Sequence, residues 1–519
     1  MLARIRSATV VGINALPVDV EVDLASGLPT FATVGLAQAA VKESRERVNA
    51  ALVNSGFEFP LKRITCNLAP ADMPKGSSAF DLPIALGVLV ASEQVPAGPL
   101  EHCLVVGELG LEGSLRPVRG ALPVAVAARA AGARALLLPS ANVAEASVVD
   151  GIAVRGAATL GEIVDFLRGR RDLPVCRGDP GQLLAERAGD SVDFSDVRGQ
   201  AAAKRAFEVA ASGAHNIMLI GPPGAGKTML ARRLSTILPA LTLDEALETT
   251  AVHSVAGLLP PGRALLTARP FRAPHHTISD AGLIGGGSPP RPGEVSLAQG
   301  GVLFLDELPE FRRHVLEVLR QPLEDGVVCL SRAAISLTYP ARFMLAAAMN
   351  PCPCGWRGDP VRECHCSPLL IARYLGRIYG PLLDRIDIHL AVPAVAWQDL
   401  AAREKVEETS AAVRARVESA RETQRERFKG RDGVRTNAHM TARDVRRFCR
   451  LAPDADELIK VAMTKLALSA RAYHRVLKIA RTIADLDASS DVQAAHVAEA
   501  IQYRALDRRA DSQPLGRAV

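Results

Sequence analysis

Aromatic side chains are scarce in this 519-residue chain: Phe, Trp and Tyr make up 4%. That argues against a partner held by stacking on aromatic platforms. Long apolar runs are missing as well. No stretch of about 18 uninterrupted apolar residues occurs, so a membrane span is not expected. Met1-Leu2-Ala3-Arg4-Ile5-Arg6 is not followed by the apolar core of a secretion signal. The cysteines number nine, which cannot all pair, and four of them crowd between 352 and 366. Reduced thiols in a cytoplasmic setting with a local metal site are expected, rather than a disulfide framework. Internal repeats and low-complexity segments are absent too.

What is present is an ordinary globular composition, 48% hydrophobic and 23% charged. The chain is too long for one core, so roughly two to four domains are expected. Residues 396–519 hold 24 Lys and Arg against 18 Asp and Glu, while the remainder is balanced, so the whole net charge of +6 sits in the last quarter. A basic module of this kind suits a polyanion such as nucleic acid, or is simply a charged helical surface.

Apolar strand-like runs and Ala-rich helical runs alternate up to about residue 170. Strands are expected over 8–15, 18–24 and 135–138, and helices over 38–54 and 122–131. A Gly-, Pro- and charge-rich stretch near 172–190 reads as a linker. A second α/β module follows. Strands are expected over 215–220, 302–305 and 343–348, with a helix over 229–237, which predicts a mostly parallel sheet covered by helices. Beyond about Trp397 the pattern is helical: a long exposed helix over 411–427 and amphipathic helices over 456–468 and 472–486.

Gly221-Pro222-Pro223-Gly224-Ala225-Gly226-Lys227-Thr228 fits the phosphate-binding pattern G-x-x-x-x-G-K-[ST], with a strand before it and a helix after it. Glycines let backbone N–H groups approach phosphate oxygens. Lys227 supplies a point charge for the β- and γ-phosphates, Thr228 offers a hydroxyl to Mg²⁺, and the helix start favours an anion. Val302-Leu303-Phe304-Leu305 then leads into Asp306 and Glu307. Asp306 is expected to hold the magnesium and Glu307 to orient the attacking water, making ATP with Mg²⁺ the expected cofactor.

Three later segments resemble parts of AAA+ motors. The strand ending at Asn350 resembles the one whose polar residue helps place the water; capping of the next turn is the plainer reading. Leu382-Leu383-Asp384-Arg385-Ile386-Asp387 resembles the segment carrying an arginine finger, or holds Arg385 in an ion pair with Asp384 or Asp387. Ser469-Ala470-Arg471 opens a late helix and resembles the position of a second nucleotide-sensing arginine, with Arg475 the alternative and a solvated arginine the plain reading. Taken with Arg272-Ala273-Pro274-His275-His276-Thr277, residues 293–308 and Met349-Asn350-Pro351-Cys352-Pro353-Cys354-Gly355, the chain resembles the ComM/YifB group of magnesium-chelatase-like AAA+ proteins over nearly its whole length.

The resemblance implies an α/β protein: a Lon-protease-like N-terminal domain (1–172), a linker (173–190), a P-loop AAA+ core with a parallel sheet (191–395), an all-α basic lid (396–507) and a tail (508–519). It also implies a cytosolic homo-hexamer that moves along DNA and promotes branch migration during natural transformation. Lon-type proteases use a Ser–Lys dyad. Here Pro74-Lys75-Gly76-Ser77-Ser78-Ala79 resembles the serine motif, with the nucleophile position on Ala79 by strict count or on Ser78 after a one-residue shift, but the partner position falls on Leu122, which accepts no proton. A non-proteolytic scaffold or DNA-handling domain is therefore expected. The rival functions are a chelatase subunit helping to insert Mg²⁺ into a porphyrin and an ATP-dependent protease.

Cys352-Pro353-Cys354 and Cys364-His365-Cys366 supply four thiols, enough to close a structural zinc site; reduced cysteines shaping a tight loop are the alternative. Candidate DNA contacts are the Gly/Pro-rich insertion 272–293, with Arg272, His275, His276 and Arg291; Arg332 in a hairpin before the Asn350 strand; and the basic stretch 414–431. Each also has a plain structural reading, and contacts of this kind predict weak sequence preference with strong salt dependence.

Overall fold

The computed structural model describes residues 1–504 except 37, 39, 40, 42, 74, 186–191, 288–289, 333–334, 360, 379–381, 395–406, 432 and 467–468. Trp397, Pro74 and the tail expected at 508–519 lie outside the described residues.

The chain opens with a long hairpin, Leu2–Val11 against Asn14–Ala25. The single strand expected over 8–15 is thus two strands, turned at Gly12-Ile13, because Gly12 adopts φ +65° and lets Val11 pair with Asn14. Apolar residues on both sides of the turn had hidden it. An eight-stranded mixed sheet grows from this hairpin in the order Val175–Cys176, Ala153–Ala157, Ala135–Pro139, Cys103–Val105, Leu2–Val11, Asn14–Ala25, Arg63–Ala69, Thr30–Val34. Helix Asp81–Ala91 is buried at every residue and packs against the hairpin, as its run of ten apolar residues after Asp81 requires, while Asp81 itself is paired with Arg47. The stretch expected as a linker adds the edge strand Val175–Cys176 and the helix Pro180–Ala185. Strands of two residues are too short for periodicity to show.

A second sheet has five strands, all parallel, in the order Phe271–Arg272, Val302–Leu305, Met344–Met349, Ile217–Ile220, Ile388–Ala391. Side chains alternate between two cores. Met218, Leu303, Leu305, Leu345, Ala347 and Met349 enter one, while Ile217, Leu219, Phe304, Ala346, Ala348 and Ile388 enter the other. A parallel sheet covered on both faces accounts for these continuous apolar strands. Antiparallel strands Val327–Arg332 and Ile335–Pro340 form the hairpin expected before the third of them.

Helices Ser410–Arg427, Ala442–Phe448, Pro453–Lys465, Ala470–Leu486 and Ala494–Gln502 share the second of these cores with the sheet. The helix expected to be long and exposed instead buries Val413, Val417, Ala420 and Gln424, a stripe at helical spacing. Most basic residues of the stretch 414–431, candidate DNA contacts in the sequence, have partners within the chain. Arg414 donates to the Thr236 carbonyl, Arg421 to Ala211, Arg416 pairs with Glu208 and Glu408, Arg427 with Asp485, and Arg431 with Asp444. Burial pushes the Arg421 guanidinium down to about 9. Helices flanking the two sheets meet where buried Glu145, on helix Val143–Ala146, accepts from Ser254 Oγ at 2.6 Å on helix Leu243–Ala256.

Candidate nucleotide site

The expected phosphate loop leaves the C-terminal end of strand Ile217–Ile220 and feeds helix Lys227–Ile237. Its glycines serve different ends. Gly224 and Gly226 take φ +79° and +81°, left-handed values that a side chain resists. At Gly221 the demand is steric, since a Cβ would sit 2.1 Å from the Val392 carbonyl oxygen. Ala225 is buried, and Gln200 Nε2 donates to its carbonyl at 2.9 Å. Pro222 and Pro223 stiffen the outer curve of the loop.

Strand Met344–Met349 lies between the phosphate-loop strand and Val302–Leu305, so Asn350 emerges between the two halves of the site. Lys227 Nζ donates to the carbonyls of Gly221 (2.8 Å) and Pro222 (2.9 Å) and to Asn350 Oδ1 (3.0 Å). Burial pushes the Lys227 pKa down, with Asp306 and Glu307 opposing it. Thr228 Oγ1 donates to Asp306 Oδ2 at 2.7 Å. A hydroxyl and a carboxylate side by side at a helix start are oxygen donors that suit a magnesium ion. Glu307 takes φ +51°, a strained value for a residue with a side chain, and its carboxylate stands exposed at the strand end. His276 Nδ1 lies 3.3 Å from Glu307 Oε2.

That last contact was not foreseen. His276 stood among the DNA-contact candidates of the insertion, yet it stacks on His275 with ring centres 4.1 Å apart and faces the expected water-orienting carboxylate. The insertion's Arg272 pairs with Glu294 through two bonds of 2.6 and 2.7 Å. Arg291 is exposed, and the Arg332 side chain is outside the described residues.

Three family models match the chain in succession: subunit ChlI of Mg-chelatase over 20–142, magnesium chelatase subunit ChlI over 193–400, and magnesium chelatase subunit ChlI C-terminal over 407–504. Competence protein ComM of Haemophilus influenzae is 45% identical over 509 residues, 98% of each chain. YifB of Escherichia coli, an uncharacterized protein, is 44% identical over 508 residues, again 98% of each. The chain belongs to the ComM/YifB family of magnesium-chelatase-like AAA+ proteins. The likeness to the 38 kDa magnesium-chelatase subunit of Rhodobacter capsulatus is more distant, 27% over 177 residues, 30% of this chain and 50% of that one. In this family setting the α/β core, its parallel sheet and the helical C-terminal region form a magnesium-chelatase-like AAA+ fold, and the family implies nucleotide with Mg²⁺.

Two expected site residues of this ComM/YifB member lie elsewhere. Asn216, just before the phosphate-loop strand, donates to the Arg385 carbonyl at 2.9 Å. Arg385 therefore sits at the N-terminal edge of the sheet, across a four-residue strand of roughly 13 Å from its own phosphate loop. Its guanidinium pairs with Glu324, neither of the two aspartates weighed from sequence. Arg471 bonds Asp384 at 2.9 Å on that same edge. The sequence signal did not tell which end of the sheet carries these arginines. With Arg342, Arg435, Arg475 and Lys478 they line a cleft of about 570 Å³.

Cys352, Cys354, Cys364 and Cys366 place all four sulfurs within 4.8 Å of one another. Three of the separations are 3.4, 3.6 and 3.6 Å. Four thiolates about 2.3 Å from a tetrahedral zinc would stand roughly 3.8 Å apart, so the donor set fits that ion.

In the N-terminal domain Ser78 donates to Glu108 Oε2 and Lys75 Nζ to the Pro70 carbonyl. Leu122 is buried in helix Ala121–Ala130. Among the described residues no helix is long and apolar enough to cross a membrane.

Proposed function

We propose that the chain hydrolyses ATP and uses the energy to move DNA, promoting branch migration as a homo-hexameric ring. The observation that carries the ATPase reading is the convergence of Lys227, Thr228, Asp306, Glu307 and Asn350 at one edge of the parallel sheet. The loop from Gly221 to Thr228 grips the phosphates, with Lys227 swinging from its loop carbonyls to the β- and γ-oxygens. Thr228 and Asp306 would hold the magnesium, which would offset the negative charge of the phosphates. Glu307 orients the water and takes up its proton, and Asn350 fixes the position of the attack.

Arg385 and Arg471 face away from their own loop. In a ring they approach a neighbour's phosphate site, where a guanidinium offsets charge on the transferring phosphoryl group. Zinc is assigned to Cys352, Cys354, Cys364 and Cys366. The N-terminal segment 1–172 is read as a Lon-like domain without peptidase activity, since Leu122 offers no base and Ser78 is engaged by Glu108. The segments 191–395 and 396–507 are read as motor and lid.

The DNA reading is supported by the relative whose name is competence protein, matched along 98% of its length. A chelatase role has the family models on its side, but the chelatase subunit itself aligns to only 30% of this chain. ATP hydrolysis measured across a salt series with single-stranded and branched DNA separates the two. Stimulation that fades as salt rises is expected. A flat response at low salt rejects the DNA reading and leaves the ATPase standing. Migration of a synthetic three-way junction only with ATP is the corresponding direct assay.

A further inference from the structure

We infer that the cysteine knuckle braces the phosphate loop, so that metal held by its four thiols tightens nucleotide binding. This rests on the zinc assignment above and concerns what that metal does for the nucleotide site.

Seven consecutive residues, 349–355, make repeated contacts with the loop or with the thiol cluster. Gly221 N–H donates to the Met349 carbonyl at 3.3 Å. Asn350 accepts from Lys227. Cys352, fully buried, contributes the first sulfur. Gly355 then lies against Pro223, at φ +86°; a Cβ there would stand 2.5 Å from Pro223 Cδ and 2.8 Å from Cγ. A proline ring cannot swing aside, so only glycine permits this approach. The Gly355 N–H also donates to the Cys352 carbonyl at 3.0 Å, which fixes the turn between sulfur and contact.

The knuckle is a loop closed by its metal. Cys364 and Cys366 return from ten and twelve residues beyond Cys354, and Arg362 lies over Trp356 at 4.2 Å. Metal bonds to thiolates supply ordering energy that four protonated thiols do not. Gly355 passes that order to the outer curve of the phosphate loop, and Asn350 passes it to Lys227. Linkage makes the coupling reciprocal: whatever factor metal adds to nucleotide affinity, nucleotide adds to metal affinity.

The test uses the full chain and two readouts, affinity for a fluorescent ATP analogue and zinc affinity by competition with a chromophoric chelator. Zinc-loaded protein is expected to bind the analogue about tenfold more tightly than chelator-stripped protein, and saturating Mg-ATP to tighten zinc by the same factor. Gly355→Ala is expected to keep one zinc per chain while losing most of the tenfold gain. Cys364→Ser is expected to lose both zinc and gain. Equal analogue affinity with and without bound zinc, or wild-type affinity in Gly355→Ala, overturns the brace while sparing the zinc assignment. A chain that takes up no zinc overturns the assignment and the coupling with it.

Discussion

The two ends of the five-stranded sheet are built from the same strands and have opposite characters. At the C-terminal end Thr228 and Glu307 stand exposed, Asp306 and Asn350 half-buried, and Glu307 holds a strained backbone. At the N-terminal end, behind the exposed Arg471–Asp384 pair, a set of polar groups is buried. Buried His215 meets Asp387 Oδ2 at 3.0 Å and Thr482 Oγ1 at 2.8 Å, and Arg475 pairs with the other Asp387 oxygen. Burial alone would raise the Asp387 pKa, but the Arg475 guanidinium and His215 hold it far below the usual carboxylate range. One end keeps polar groups open to a ligand; the other, beside the cleft that Arg385 and Arg471 line, also holds a buried polar cluster that fastens helix Ala470–Leu486 to the sheet. The comparison teaches that polar residues at a strand end mark chemistry only when the fold leaves them facing outward.

The largest break in that contrast is expected from Lys227→Ala. It should weaken ATP binding about a thousandfold, roughly 4 kcal/mol, by titration with a fluorescent analogue, without lowering the melting temperature of the unliganded protein. Asp387→Ala should do the reverse. Removing one partner of a buried pair leaves Arg475 and His215 uncompensated, a cost of about 3 kcal/mol in denaturant melts, while the phosphate loop keeps its affinity. An unchanged melt would mean that the inward end is not adhesive. Glu307→Gln should retain ATP yet hydrolyse it about a hundredfold more slowly, about 2.7 kcal/mol of transition-state stabilisation. Wild-type turnover there would remove Glu307 from its role.

The smallest effect expected is a pH response of the inward end. Burial, with help from Arg504 and Arg475, holds the His389 imidazole down to about 3. Its folded value lies below the ordinary value of about 6.5, so between the two the unfolded chain binds the extra proton. Stability should therefore fall as pH drops below about 6.5, by about 2 kcal/mol from pH 7 to pH 5 for this group. His389→Leu should make that part of the melting profile shallower, with buried His439, held down to about 4, still contributing. A slope identical to wild type would show that His389 is not the source.

Much of the outward end was legible because its chemistry is local in sequence. Residues 221–228 and 302–307 are short runs whose meaning depends on spacing, and strand Val302–Leu305 begins and ends where its apolar run does. The four cysteines were legible for the same reason. The hairpin at Gly12-Ile13 was not, since a two-residue turn inside an apolar run leaves no break in pattern. The burial of helix Ser410–Arg427 was hidden by its many charges, because arginines that reach back to carbonyls of neighbouring helices look in sequence like solvated ones.

The sequence alone determined a glycine-bearing loop ahead of a helix, a carboxylate pair at a strand end and a cysteine set able to hold a metal. Each is a property of residues within a few positions of one another. Only the tertiary structure decided that Arg385 and Arg471 lie at the far edge from their own loop, that His276 meets Glu307, and that Gly355 rests on Pro223. Those pairs are brought together by strand order and crossover direction. Strand order arises from the packing of two cores against one sheet, and no short run of residues encodes it.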